Sequence, residues 1–76
     1  MDMNKLVRMA NQIATNFDYG QDRDELVASV TDHLRRFWSP DMKRQIVGHL
    51  QGGATDLKET AASAVAKLAE GQTDAA

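Results

Sequence analysis

The chain has 76 residues, a formal net charge of −2 and no cysteine. Its length fits one small domain, whose own core rarely supplies more than about 3–5 kcal/mol, and no disulfide or thiolate-bound metal can add to that. The sequence pI of about 5.5 argues against a nucleic-acid partner, which is usually met by a basic face and a pI above about 9, and no apolar run approaches the roughly 20 residues that span a bilayer.

The first predicted helix covers residues 4–19. Leu6, Met9, Ala10, Ile13, Ala14 and Phe17 recur at spacings of three and four and form its inward stripe. Asp2 or Asn4 is placed to cap its start and Gly20 to end it. The second covers residues 23–37, with Leu26, Val30, His33, Leu34 and Phe37 inward and a capping-box spacing between Asp22 and Glu25. Asp32 precedes Arg36 by four residues, the favourable order for a surface ion pair. Ser39-Pro40 marks a restart, with Ser39 as N-cap and Pro40 at the first helical position. The third helix continues through Met42, Ile46, His49 and Leu50 to Gly52-Gly53. The fourth starts near Thr55 or Asp56, again on a capping-box spacing to Glu59. It carries a thin stripe of Leu57, Ala61, Ala64, Val65 and Leu68 and stops at Gly71. The expectation is an all-α chain, a small bundle of three to four helices over residues 1–71 with a disordered tail at 72–76.

Three groups of residues carry more chemistry than a solvated helix needs. Arg8, Asn11, Gln12 and Thr15 share one face of the first helix. Arg forks to carboxylates, and Asn and Gln pair with backbone amides, so Arg8, Asn11 and Gln12 form a candidate docking patch, while the spacing alone also fits an ordinary solvated face. Arg35, Arg36 and Trp38 end the second helix as a second patch. Trp38 has two readings there, an interface anchor or a lid over the small core. His33 and His49 fall within apolar stripes; half-buried, hydrogen-bonded histidines explain them better than a metal, since no HxxxH or ExxH spacing is present. There is no nucleophile elbow, no phosphate-cradling glycine loop and no cysteine, so catalysis by this chain is not expected.

The string Leu6-Val7-Arg8-Met9-Ala10-Asn11-Gln12-Ile13-Ala14, followed by His33-Leu34-Arg35-Arg36-Phe37-Trp38, Pro40 and Met42, resembles the delta subunit of NAD-dependent formate dehydrogenase. Gly52-Gly53, Leu57, Ala64-Val65 and Leu68 are similar to that family's weaker C-terminal pattern, while Asn16, Asp41 and Lys58-Glu59 depart from it. The resemblance implies a non-catalytic accessory subunit of a cytoplasmic, multi-subunit enzyme. It also implies that the partner is the large (alpha) subunit, carrying bis-molybdopterin guanine dinucleotide with molybdenum or tungsten and iron–sulfur clusters, with FMN and NAD elsewhere in the complex. No cofactor is expected in this chain.

The expected function is therefore binding: stabilising or helping to assemble the molybdenum-bearing subunit, with Arg8, Asn11, Gln12, Arg35, Arg36 and Trp38 as contacts. Three other readings stand beside it. A transient cofactor-insertion chaperone would leave after loading. A helix-turn-helix DNA binder would turn at Ser39-Pro40. A homodimer of the isolated chain would pair Trp38 and apolar edges.

Overall fold

The computed structural model describes residues 2–73. Among them are four helices, α1 (Met3–Asn16), α2 (Arg23–Phe37), α3 (Pro40–Gln51) and α4 (Glu59–Thr73), and no strand.

The two best-defined helix starts follow the sequence closely. At α1 the Asp2 carboxylate accepts from the Asn4 N–H at 3.2 Å. At α3 the Ser39 hydroxyl accepts from the Met42 N–H at 3.2 Å, with Pro40 placed where its missing N–H costs nothing. The end of α3 also matches: Gly52 is its C-cap, and Gly53 turns the chain at a φ of 92°, which a side chain would strain.

Elsewhere local signals lose to competing bonds. α1 stops at Asn16, short of Tyr19 and Gly20, because the Gln21 side chain takes over the helix end. Its Nε2 donates to the Phe17 carbonyl at 2.8 Å and its Oε1 accepts from the Tyr19 N–H at 3.0 Å. Asp22 does sit at the N-cap of α2 but makes no side-chain cap bond, so the capping box with Glu25 does not form. Asp24 and Glu25 still lie in the first turn, where the helix dipole favours them. α4 begins at Glu59, three residues after Asp56, and runs through Gly71 to Thr73, two residues into the segment expected as tail. The rest of that expected tail, residues 74–76, lies outside the described residues.

α4 packs most closely on α2 and then on α3, and α1 lies across α3, α4 and α2. The buried face of α4 is Ala61, Ala64, Val65 and Leu68, as its sequence stripe predicts. Two alanines there let the neighbouring helix axes come close, since interaxial distance follows the size of the contacting side chains. On α2 the buried stripe is Leu26, Val27, Val30, Thr31 and Leu34. Phe37, expected inside, is 72% exposed, while Trp38 is only 5% exposed and joins the core. Thr31 is buried without cost, since its hydroxyl donates to the Val27 carbonyl at 2.8 Å, with the Ala64 carbonyl of α4 at 3.3 Å. On α1 the stripe divides. Leu6, Val7, Ala10 and Ala14 are buried, whereas Met9, Ile13 and Phe17 are only partly covered.

The start of α2 is tied to the start of α4 by Arg23. Its guanidinium donates through Nε to Glu59 Oε2 at 3.0 Å, through a second nitrogen to Glu59 Oε1, and to Ser63 Oγ at 2.6 Å. The Arg23 hydrogen bonds hold the Glu59 carboxyl below its ordinary value near 4.5, and its charge adds to this. A carboxyl whose folded pKa is lowered stabilises the fold above its unfolded value, and that contribution is lost as pH falls through the folded value. Glu59→Gln should therefore lower Tm slightly above pH 6, where the exposed and screened pair contributes, and the difference should close as pH falls below about 4.5, which flattens the acid limb of the Tm–pH curve. Thermal scans from pH 3 to 7 on both proteins check this, and parallel curves would contradict it.

Candidate partner-binding surface

The polar face of α1 is divided by its contacts within the chain. Asn11 turns toward the segment before α4. Its Nδ2 donates to the Asp56 carbonyl at 3.0 Å and its Oδ1 accepts from the Lys58 N–H at 2.8 Å. Lys58 is the residue whose carbonyl receives the first bond of α4, from the Ala62 N–H. Asn11 thus serves α4 as a capping-box glutamate would, but from another helix. The Thr15 hydroxyl donates back to the Asn11 carbonyl at 3.0 Å. From α3, His49 Nε2 lies 2.9 Å from the Asp56 carboxylate, so the α3–α4 connection is held on two sides. This is the role of the half-buried His49, and it explains why Asp56 does not cap α4.

Arg8 and Gln12 lie on the other flank. With Lys5, Met9 and Ile13 they line an open groove along α1. Gln12 Nε2 donates to Asn16 Oδ1 at 3.0 Å, one turn on. Arg8 makes no ion pair among the described residues and is exposed.

At the end of α2, Arg36 is exposed and pairs with Asp32 at 3.2 Å, as the spacing predicts. Arg35 is exposed with its guanidinium beside Gly71 of α4, where a Cβ would meet it at 3.7 Å, and its carbonyl accepts from Lys43 Nζ at 3.2 Å. Trp38 takes the lid position. As C-cap of α2 it has φ −84° and ψ 141°, and that extended backbone turns its ring into the core. Little of it is left to meet a partner.

The exposed aromatic at this corner is Phe37, which the sequence reading placed inside. His33 sits between two phenylalanines. The Phe17 ring meets it edge-on with centroids 5.2 Å apart, and Phe37 lies 4.8 Å away on the other side. The spacing of Phe17, His33 and Phe37 at one edge of two helical stripes was visible in the sequence, but nothing local told an inner from an outer edge. Among the described residues no group of three or more His, Cys, Asp or Glu is placed to hold a metal ion.

Residues 5–65 match the family model described as NADH-dependant formate dehydrogenase delta subunit FdsD. The chain belongs to that delta-subunit family. No curated protein matches it, and neither does any solved structure. Within the matched delta-family segment, much of the recognisable N-terminal string specifies the fold. Leu6, Val7, Ala10 and Ala14 are core, and Asn11 latches the α3–α4 connection. The delta-family residues open to solvent near those strings are chiefly Arg8, Gln12, Arg35, Arg36 and Phe37.

Proposed function

We propose that this delta-family chain is a non-catalytic accessory subunit of an NAD-dependent formate dehydrogenase. It binds the large alpha subunit and stabilises it or helps it assemble in the cytoplasm. The family match over residues 5–65 carries this reading. Two features of the molecule support it. Large side chains remain exposed around the ends of α1 and α2, and no helix among the described residues is long and apolar enough to cross a membrane.

The implied iron–sulfur clusters do not fit the donor set of this chain. Iron–sulfur clusters take thiolates, and the sequence has none. In this reading the bis-molybdopterin guanine dinucleotide with molybdenum or tungsten, the iron–sulfur clusters, the FMN and the NAD site all belong to other subunits. What this chain supplies is mass action. A partner that binds only the folded, loaded subunit stabilises it by RT ln(1 + [L]/Kd), about 2.7 kcal/mol at a hundredfold excess over Kd.

Deleting this chain should lower the yield of active enzyme and the molybdenum or tungsten content per alpha subunit, while leaving kcat per loaded molecule nearly unchanged. Metal analysis of enzyme purified with and without the chain tests this, and equal metal content would contradict it. Purification in fixed stoichiometry with the alpha subunit separates a resident subunit from a chaperone that leaves after loading.

A further inference from the structure

One surface stripe is only partly covered by the fold. Met9 and Ile13 stand one turn apart on α1, only partly against the core, and Phe17 follows a turn later. There the stripe crosses to α2 through the Phe17–His33 and His33–Phe37 ring contacts and ends on the exposed Phe37. Contiguous exposed apolar surface bordered by polar groups marks interaction sites in soluble proteins. The polar border is basic at the Met9 end and mixed at the Phe37 end, where Asp18, Asp32 and Arg36 are exposed. Lys5 and Arg8 flank the Met9 end, and α1 has no carboxylate along Met3–Asn16. Arg23, Arg36 and Arg44 each have an intrachain carboxylate, but Arg8 has none among the described residues.

We infer that this stripe is the docking face for an acidic amphipathic helix of the large subunit, an inference that rests on the accessory-subunit reading above. Such a helix lays apolar anchors at i, i+4 and i+7 along the Met9–Ile13–Phe17 ridge and against Phe37. Its carboxylates meet Lys5 and Arg8, which lie three residues apart on one face and so suit acidic groups about one turn apart. Pairing the face with itself in parallel would bring two cations from each α1 and no carboxylate from either, whereas an antiparallel pairing would set them at the mixed Phe37 end, so the oligomeric state is part of the test.

Binding of purified alpha subunit to the full-length chain, at low and at high salt, is the test. Arg8→Glu and Phe37→Ser should each raise Kd about tenfold or more, the first with Tm essentially unchanged and the second with Tm lower by only a few degrees, because both side chains are exposed. Arg44→Glu on α3 should stay within about twofold of wild type. Salt should weaken the wild-type chain more than Arg8→Glu. If the wild-type chain binds but both face variants bind equally well, this face is excluded and the accessory reading survives. If the wild-type chain binds no subunit of the enzyme, the accessory reading itself fails and the face falls with it. If light scattering shows a dimer that Phe37→Ser converts to monomer, with alpha binding unchanged, the face belongs to a second copy and the proposal is overturned.

Discussion

Trp38→Ala should leave the isolated chain largely unfolded at room temperature, while Phe37→Ala next to it should lower Tm by only a few degrees. The contrast follows from burial. Trp38 is 5% exposed and packs among the residues that close the core, whereas Phe37 is 72% exposed. Truncating a buried Trp to Ala costs about 3–5 kcal/mol in lost transfer energy and cavity. A domain of this size has roughly that much stability in total. Phe37→Ala loses mainly its ring contact with His33, worth about 0.5–1 kcal/mol, or a few degrees of Tm for a domain this small. Circular dichroism melts of both variants decide the matter. A Trp38→Ala melt within about 5 °C of wild type would show that the ring does not hold the core together. Saturating alpha subunit should restore helicity to Trp38→Ala if the proposed partner binds the folded form alone.

The Trp38–Phe37 pair also shows how far the sequence could be read. A helical wheel assumes helical backbone at every position. Through Leu34 that assumption holds, and Leu26, Val30 and Leu34 are buried as their spacing predicts. At the C-cap it fails, because Trp38 is extended and its side chain leaves the wheel. Phe37, still helical, then falls at the edge of the stripe and outside the core. Val27 and Thr31 belong to the buried stripe at i, i+3 and i+4 spacing with Val30 and Leu34. A wheel weighted by side-chain size favours larger groups on the adjoining edge instead, among them His33. The fold class, the boundaries of α2 and the start of α3 were legible because each rests on local chemistry, such as capping by Ser39 with Pro40 behind it. The start of α4 was not, since its capping-box residues are engaged by distant partners, Asp56 by His49 and Glu59 by Arg23. The candidate docking residues suffered from the same blindness. Exposure of Arg8 and Gln12 is a property of their helix face, but the inward bonds of Asn11 depend on residues 45 and 47 positions away.

Asn11→Ala should lower Tm by roughly 5–12 °C, an effect on the free chain that a docking residue would not have. Two bonds are lost together, the donation to the Asp56 carbonyl and the acceptance from the Lys58 N–H. Each such bond contributes about 0.5–1.5 kcal/mol net, and water reaches this site, so a total of about 1–2 kcal/mol is expected. In a domain of 60–100 residues, 1 kcal/mol moves Tm by about 4–8 °C. The loss should be local as well as global. Exchange of the Lys58 amide should speed up by about 5–30-fold, the ratio that 1–2 kcal/mol sets, while amides in the middle of α2 change only with global stability. Asn11→Asp separates the two bonds. It keeps an acceptor for the Lys58 N–H and adds negative charge near the start of α4, which the helix dipole favours, but it loses the donor to Asp56. Its Tm should fall between wild type and Asn11→Ala. Unchanged Tm and unchanged Lys58 exchange in Asn11→Ala would contradict the latch. Temperature then distinguishes latch from contact in the assembled enzyme. A shortfall of complex caused by Asn11→Ala should recover when the cells are grown cooler, because the chain refolds. A shortfall caused by Arg8→Glu should persist, because that variant is as folded as wild type at both growth temperatures and lacks only its grip.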